Sequence, residues 1–246
     1  MNQADLPLSG QTALITGGAH RVGKILALAA ARAGADIILH YSRSQAEAEE
    51  TGREIEQLGR KVHLLQADLS QPETARALMP RAFAISPPSI LINSASIYET
   101  HSLADTSPED WENTLNLNLS APFFLTQAFA RLLPEPQTGR ILNILDWRAL
   151  RPTADHFPYT ISKAALAALT RSSAAALAPR ITVNGLALGA ILPPADGQFS
   201  PNLLKLIPAN RWAGLDEVAQ AAHFLLTGPA YITGEILHLD GGRHLI

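Results

Sequence analysis

Thr12-Ala13-Leu14-Ile15-Thr16-Gly17-Gly18-Ala19-His20-Arg21-Val22-Gly23 joins a short apolar run to a glycine-rich turn and then to a helical stretch over residues 24–33. A strand that turns through glycines into a helix lets the backbone approach a pyrophosphate. The helix N-terminus adds N–H groups and the positive end of its dipole. The spacing is not the G-x-x-x-x-G-K-[ST] of a P-loop, which argues against a nucleoside-triphosphate hydrolase. A glycine turn made only for tight packing looks the same, so the rest of the chain has to decide.

Beyond the turn, short runs of Ile, Leu and Val alternate with longer amphipathic stretches to the end of the chain. This rhythm predicts strands at residues 12–16, 36–41, 62–66, 90–93, 140–145, 181–186 and 235–239. Strands alternating with helices give βαβ units and a parallel sheet, here an α/β, Rossmann-type doubly wound sheet of seven strands. ALIT, DIILHY, ILIN and ILNIL are almost continuously apolar, as befits strands covered by helices on both faces. With 246 residues and no linker or composition shift, the reading is one domain, 1–246.

Composition removes several classes of function. The chain has no cysteine, so disulfides, thiolate metal ligands and thiol nucleophiles are excluded. Its eight histidines are scattered without an H-x-x-x-H pair, and no metal site is expected. A net charge of −3 with mixed signs argues against nucleic acid as partner. No apolar run approaches the roughly 20 residues of a bilayer span, and residues 1–18 show no export signal. The expectation is a cytoplasmic protein with a small-molecule partner.

The second strand leads into Tyr41-Ser42-Arg43-Ser44 and lacks the Asp or Glu that would bind the ribose 2′-hydroxyl of NAD. A guanidinium flanked by hydroxyls suits a 2′-phosphate through charge-assisted hydrogen bonds, so the expected cofactor is NADPH. Arg21, inside the turn, is placed to reach the pyrophosphate. Asp68, closing the third strand in QADL, is placed for the adenine amino group, although a turn-forming Asp fits equally.

Tyr159 and Lys163 stand one helical turn apart on one face. A lysine cation beside a phenol favours phenolate, and the expectation is a tyrosine pKa below its usual value near 10, fit for general acid–base work. The helical segment 163–178, KAALAALTRSSAAALA, spreads small residues around more than one face. It is expected to pack on the sheet with one side and on a second subunit with the other, although alanine also favours helix without any partner.

TGGAHRVG, QADL, Asn93-Ser94-Ala95, Asn118 in LNLNLSAPF, Tyr159-x-x-x-Lys163 and LDGG together resemble the short-chain dehydrogenase/reductase family over essentially the whole chain. The resemblance implies that Asn118 and Lys163 support a proton-relay water and that Lys163 holds the nicotinamide ribose. It implies a cofactor surface of Gly17, Arg21, Val22, Tyr41, Ser42, Arg43, Ser44, Asp68, Leu69, Asn93, Ala95, Tyr159, Lys163, Gly189 and Ile191. It also implies a homotetramer.

Within that family, Arg21 replaces the middle glycine of the turn, Ser96 follows Ala95, and Asp146 replaces the serine thirteen residues before the tyrosine. With HYSRS and LDGGRHL, these departures are similar to the pteridine reductases and their bacterial dihydromonapterin/dihydrofolate reductase branch; Ser94 departs even from those. The resemblance implies catalytic Asp146, Tyr159, Lys163 and Asn118, with Arg21, Ser96, Tyr98, Asp146 and Tyr159 on a pterin or folate. Tyr98 would stack on its ring. Asp146 has a rationale of its own: a carboxylate repels the oxyanion of carbonyl reduction but accepts N–H groups of a nitrogen-rich ring. An Asp capping the loop after the strand is the plainer alternative. Two other readings stay open, a general carbonyl reductase acting on oxoacyl or sugar-like substrates, and a non-catalytic NADP-binding sensor. The proline-rich residues 191–207 are expected to form the substrate loop, while Trp147 and His156 fall nearby without an assigned role.

Overall fold

The computed structural model describes residues 6–192 and 204–246. The seven strands are β1 Thr12–Ile15, β2 Asp36–Tyr41, β3 Val62–Gln66, β4 Ile90–Asn93, β5 Gly139–Asp146, β6 Ile181–Leu188 and β7 Ile236–Leu239. They form one parallel sheet in the order β3-β2-β1-β4-β5-β6-β7. The connecting helices are α1 Arg21–Arg32, α2 Gln45–Gln57, α3 Pro72–Ile85, α4 Pro108–Leu115, α5 Ala121–Leu132, α6 Phe157–Leu177 and α7 Leu215–Thr227. After β3 the chain crosses back and continues on the other side of β1. The β1/β4 boundary is thus the switch point, outside whose carboxyl ends ligands bind in such sheets.

Alternation explains why the strands read as unbroken apolar runs. Ala13, Ile15, Ile37, Leu39, Ile90, Ile92, Leu142 and Ile144 face α1 and α7 in one core. Leu14, Ile38, Leu91, Ile141 and Val183 face α3 and α5 in the other. β3 is the exception: as an edge strand, only its Leu65 is buried. β5 and β6 run further toward the carboxyl edge than the apolar runs suggest, because their pairing continues to Asp146 opposite Leu188. That extension places Asp146 at the rim.

Helix α6 begins six residues ahead of the expected segment, at Phe157-Pro158, where proline fits the first helical turn. Its inner face buries Leu166, Ala167 and Ala174. Ile161, Ala168, Ser172 and Ala175 face outward in this single chain, so one side is packed and the expected second contact lies open. Between α4 and α5 the chain makes a π-turn, Asn116–Ser120, that buries Asn118. Such turns insert one extra residue and redirect a side chain inward. Among the described residues, no helix is long and apolar enough to cross a membrane.

A polar chain crosses the core. Asn93 Nδ2 donates to Asn143 Oδ1 (2.8 Å), Asn143 Nδ2 to Thr170 Oγ1 (2.9 Å), and Thr170 Oγ1 to the Leu166 carbonyl (2.8 Å). It ties β4, β5 and α6 together below the site. Truncating Asn143 to alanine strands the Asn93 amide in the core, and urea denaturation is expected to show a loss of about 2–4 kcal/mol; a loss under 1 kcal/mol would show that the chain is dispensable.

Candidate active site

The turn after β1 is held from three sides. Gly17 has φ +64°, and a Cβ there would sit 2.9 Å from Ala95 Cα. A Cβ on Gly23 would lie 1.9 Å from the Gly17 carbonyl oxygen, so only glycine lets α1 start this close to the turn. Thr16 Oγ1 accepts from the backbone N–H groups of both Ser94 and Ala95, each at 3.0 Å. The result is a cleft floor of bare backbone between β1 and β4. Arg21, at φ +52°, holds a conformation that suits glycine and costs other residues about 1 kcal/mol or more.

His40 completes the bracing. Its Nδ1 accepts from the Gly17 N–H (3.1 Å), and its Nε2 faces the Ala67 carbonyl (3.1 Å), which only accepts. The ring is therefore neutral, with its proton on Nε2, and burial lowers its pKa from 6.5 to about 4. One imidazole links the glycine turn to the end of β3. There Asp68 Oδ1 accepts from the N–H (3.0 Å) and the hydroxyl (2.7 Å) of Ser70, so Asp68 is a turn-former at the rim and Leu69 lies buried behind it. Beyond β2, Arg43 is exposed, and among the described residues no carboxylate pairs with it; Tyr41, Ser42 and Ser44 are half-buried around it.

At the carboxyl end of β5, Asp146 uses its two oxygens differently. Oδ1 accepts from the backbone N–H of Arg148 at 2.9 Å, capping a short 3-10 turn, and from the Arg148 guanidinium at 3.4 Å. Oδ2 accepts from the hydroxyl of Tyr159 at 3.3 Å. Asp146 thus caps the turn with one oxygen and meets the Tyr159 hydroxyl with the other. Burial raises the Asp146 pKa against the pull of Arg148 and Lys163.

The spacing of Tyr159 and Lys163 does bring them together, with Nζ 5.6 Å from the centre of the phenol ring. The expected fall in the tyrosine pKa is not what the structure shows. Burial, and then the charge of Asp146, push the phenol well above its ordinary value, so it is held protonated. Lys163 is fully enclosed and donates to the Ile144 carbonyl at 2.9 Å. Burial lowers its pKa to about 8, with Asp146 opposing, which leaves it cationic at neutral pH.

The Asn118 side chain is fully engaged: its Oδ1 accepts from Ile97 N–H (3.0 Å) and its Nδ2 donates to the Ile97 carbonyl (3.0 Å) and Ser162 Oγ (3.2 Å). It clasps the loop after β4 to α6. The Asn93 side chain belongs to the core chain below the site, and Ile191 is likewise buried in the core. Gly189, just past β6, packs closely on the residue after β7, since a Cβ there would lie 2.6 Å from Asp240 Cα.

Tyr98 is half exposed and meets Tyr159 edge to face, with ring centres 4.7 Å apart. Its other neighbour is His156, stacked at 3.9 Å and held by the Glu99 carbonyl at 2.9 Å. Ser96 is exposed on the same loop. The sequence placed His156 near the site without a role and gave no role to His40 or Arg148. His40 left a signal, as the polar residue within the apolar run DIILHY. His101 Nε2 lies 3.5 Å from Glu99 and 3.8 Å from Asp110, bracing the loop beyond Tyr98. Residues 193–203, most of the expected substrate loop, lie outside the described residues.

A glycine turn at the switch point, a bare backbone cleft and an enclosed Tyr–Lys–Asp cluster define a dinucleotide-dependent oxidoreductase of the doubly wound α/β class. Residues 11–203 match the short chain dehydrogenase family model, and the chain belongs to that family. It is 32% identical over 240 residues to a 3-oxoacyl-[acyl-carrier-protein] reductase of Synechocystis sp., covering 96% of this chain and 97% of the relative. It is 35% identical over 243 residues to a 2-dehydro-3-deoxy-D-gluconate 5-dehydrogenase of Bacillus subtilis, covering 96% and 95%. Among solved structures, the FolM alternative dihydrofolate reductase 1 of Brucella canis, complexed with NADP, superposes with a TM-score of 0.89 at 33% identity over 97% of this chain and 96% of that one.

His40 makes stability pH-dependent in a defined window. As pH falls through 6.5 the unfolded chain takes up a proton that the folded ring refuses until about 4. The stabilisation from keeping it neutral is complete above pH 6.5 and is lost toward pH 4, about 3 kcal/mol in all. Urea melts between pH 7.5 and 4 should show this component in the wild type and not in His40→Asn; identical slopes would refute it.

Proposed function

We propose that this protein reduces a dihydropterin or dihydrofolate to its tetrahydro form with NADPH. The observation that carries the reading is the buried Asp146 carboxylate, hydrogen-bonded through Oδ2 to the proton donor Tyr159. The bare backbone around Gly17 and Gly189 fits a dinucleotide, and Arg43 with its flanking serines fits a 2′-phosphate. When bound, NADPH supplies the hydride to the substrate carbon.

Tyr159 gives its proton to the ring nitrogen as the C=N bond accepts the hydride, so one C–H and one N–H bond form. The phenolate left behind is stabilised by the Lys163 cation and regains its proton from solvent. The phenol, held above its usual pKa, starts protonated, and the Lys163 cation offsets its reluctance to release that proton. Asp146 Oδ2 orients ring N–H groups, and its negative charge disfavours the oxyanion that carbonyl reduction would create. Tyr98, edge-on to Tyr159, offers its exposed face to a flat heterocycle. The open outer face of α6 supports a homotetramer as the working assembly.

The names of the carbonyl-acting relatives favour a second reading, in which oxoacyl or sugar-derived carbonyls are the substrates. NADPH oxidation at 340 nm with dihydromonapterin, dihydrobiopterin, dihydrofolate and an oxoacyl thioester separates the two. On the pterin reading, Tyr159→Phe lowers pterin turnover by a factor of about 10² to 10⁴. Asp146→Ser cripples pterin reduction too, while leaving or improving carbonyl turnover. A wild type that reduces carbonyls and no pterin would move the assignment to the second reading. Arg43→Ala should raise the KM for NADPH by roughly 10- to 100-fold, the worth of a lost charge-assisted hydrogen bond; an unchanged KM would remove Arg43 from the cofactor site.

A further inference from the structure

Two arginines flank the buried Trp147 indole beside the site, and a third binds the backbone of one of them. The guanidinium of Arg148 lies 4.7 Å from the centre of the Trp147 ring and 5.7 Å from that of Tyr98. Arg243, from the segment after β7, lies 4.7 Å from the same Trp147 ring, and Arg151 Nη1 donates to the Arg243 carbonyl at 3.4 Å. Arg243 Nη1 in turn donates to the carbonyl of Leu206, where the described chain resumes beyond residues 193–203.

The charges at this rim do not balance. Both nearby carboxylates go to Arg148: Asp146 at 3.4 Å and Asp155 at 3.1 Å. Among the described residues, neither Arg151 nor Arg243 has a carboxylate within ion-pair distance, and both donate to backbone carbonyls. Burial and then the Arg148 and Arg151 charges lower the Arg243 pKa against a weaker opposite pull from Asp155, so the cations sit close enough to oppose one another. Like charges held together at a partly desolvated rim are relieved by an anion, and guanidiniums match a carboxylate's two oxygens.

Resting on the pterin-reductase reading, we propose that Arg151 and Arg243 form a carboxylate-binding subsite that selects substrates with an anionic tail. The substrate class is therefore folate-like, with the heterocycle between Tyr98 and Asp146 and the acidic tail over Trp147, in preference to pterins with uncharged side chains. Trp147 and Arg148 form the wall between the two subsites.

The test compares dihydrofolate with dihydrobiopterin on wild type, Arg151→Gln, Arg243→Gln and the double variant. The double variant is expected to lose about tenfold in kcat/KM for dihydrofolate, through KM, while dihydrobiopterin stays within about twofold. The dihydrofolate advantage should shrink with added salt, and lysine at both positions should restore most of it. In parallel, p-aminobenzoylglutamate and its uncharged diamide are titrated into the NADPH-loaded protein by calorimetry, which probes the subsite without a pterin ring. The diacid should bind roughly tenfold more tightly than the diamide in the wild type, and equally in the double variant. If no pterin or folate is turned over but this diacid preference is present and is lost in the variant, the proposed function fails and the subsite stands. Equal losses for both substrates, or a wild type that binds diacid and diamide alike or neither, overturns the subsite.

Discussion

Everything at the site depends on how one carboxylate is held in a place that water barely reaches. A buried carboxylate is costly unless it is paired and hydrogen-bonded, and Asp146 meets both conditions on one oxygen. The Arg148 backbone N–H and guanidinium occupy Oδ1, which frees Oδ2 for Tyr159 and for substrate. Arg148 is itself buried between Asp146, Asp155 and Thr153 Oγ1, so its position is over-determined. Desolvation then acts on both partners in the same sense: carboxylate and phenol are each biased toward their protonated forms. The phenol therefore rests protonated, and the Lys163 cation beside its ring offsets part of the cost of the phenolate it leaves when it donates.

The scaffold contributes rigidity at the carboxyl edge of the sheet. Thr16 binds two consecutive backbone N–H groups of the loop after β4, and His40 joins the glycine turn to the end of β3. Asn118 fixes the loop after β4 to α6, the helix that carries Tyr159 and Lys163. The cofactor cleft and the proton-transfer cluster therefore share one frame. None of these braces is exposed to reagents in solution, yet each uses a polar group whose loss would leave a buried partner unsatisfied.

The strands were legible because alternation and helix cover on both faces make nearly continuous apolar runs, and boundaries missed by a residue or two where pairing outran hydrophobicity, as at Asp146. The Tyr159/Lys163 pair was legible because a helix fixes four-residue spacing. Its electrostatics were not. Spacing states that two groups are close, but the sign of the tyrosine shift depends on burial and on a carboxylate thirteen residues away, both set by tertiary packing. The partners of Asn118 were hidden for a related reason: the π-turn that buries it brings its amide to Ile97 and Ser162, and nothing in LNLNLSAPF announces that turn. Arg148 was hidden because its partners Asp146, Thr153 and Asp155, though close in sequence, converge only through the fold of the loop after β5.

Relatives of about a third identity share this frame while bearing the names of carbonyl-acting enzymes and of an alternative dihydrofolate reductase. Fold cannot separate such chemistries; charge at the reacting centre can. Carbonyl reduction concentrates negative charge on oxygen, and a carboxylate 3.3 Å from the proton donor opposes that charge at low effective dielectric. Reduction of a C=N bond ends with neutral N–H groups, which the same carboxylate welcomes. The surplus of guanidinium charge around Trp147 acts one step further out, on the part of the substrate that does not react. On the proposed reading, one carboxylate at the centre and guanidiniums at the rim that pair with no carboxylate among the described residues suit a substrate that is nitrogen-rich where it reacts and acidic where it does not.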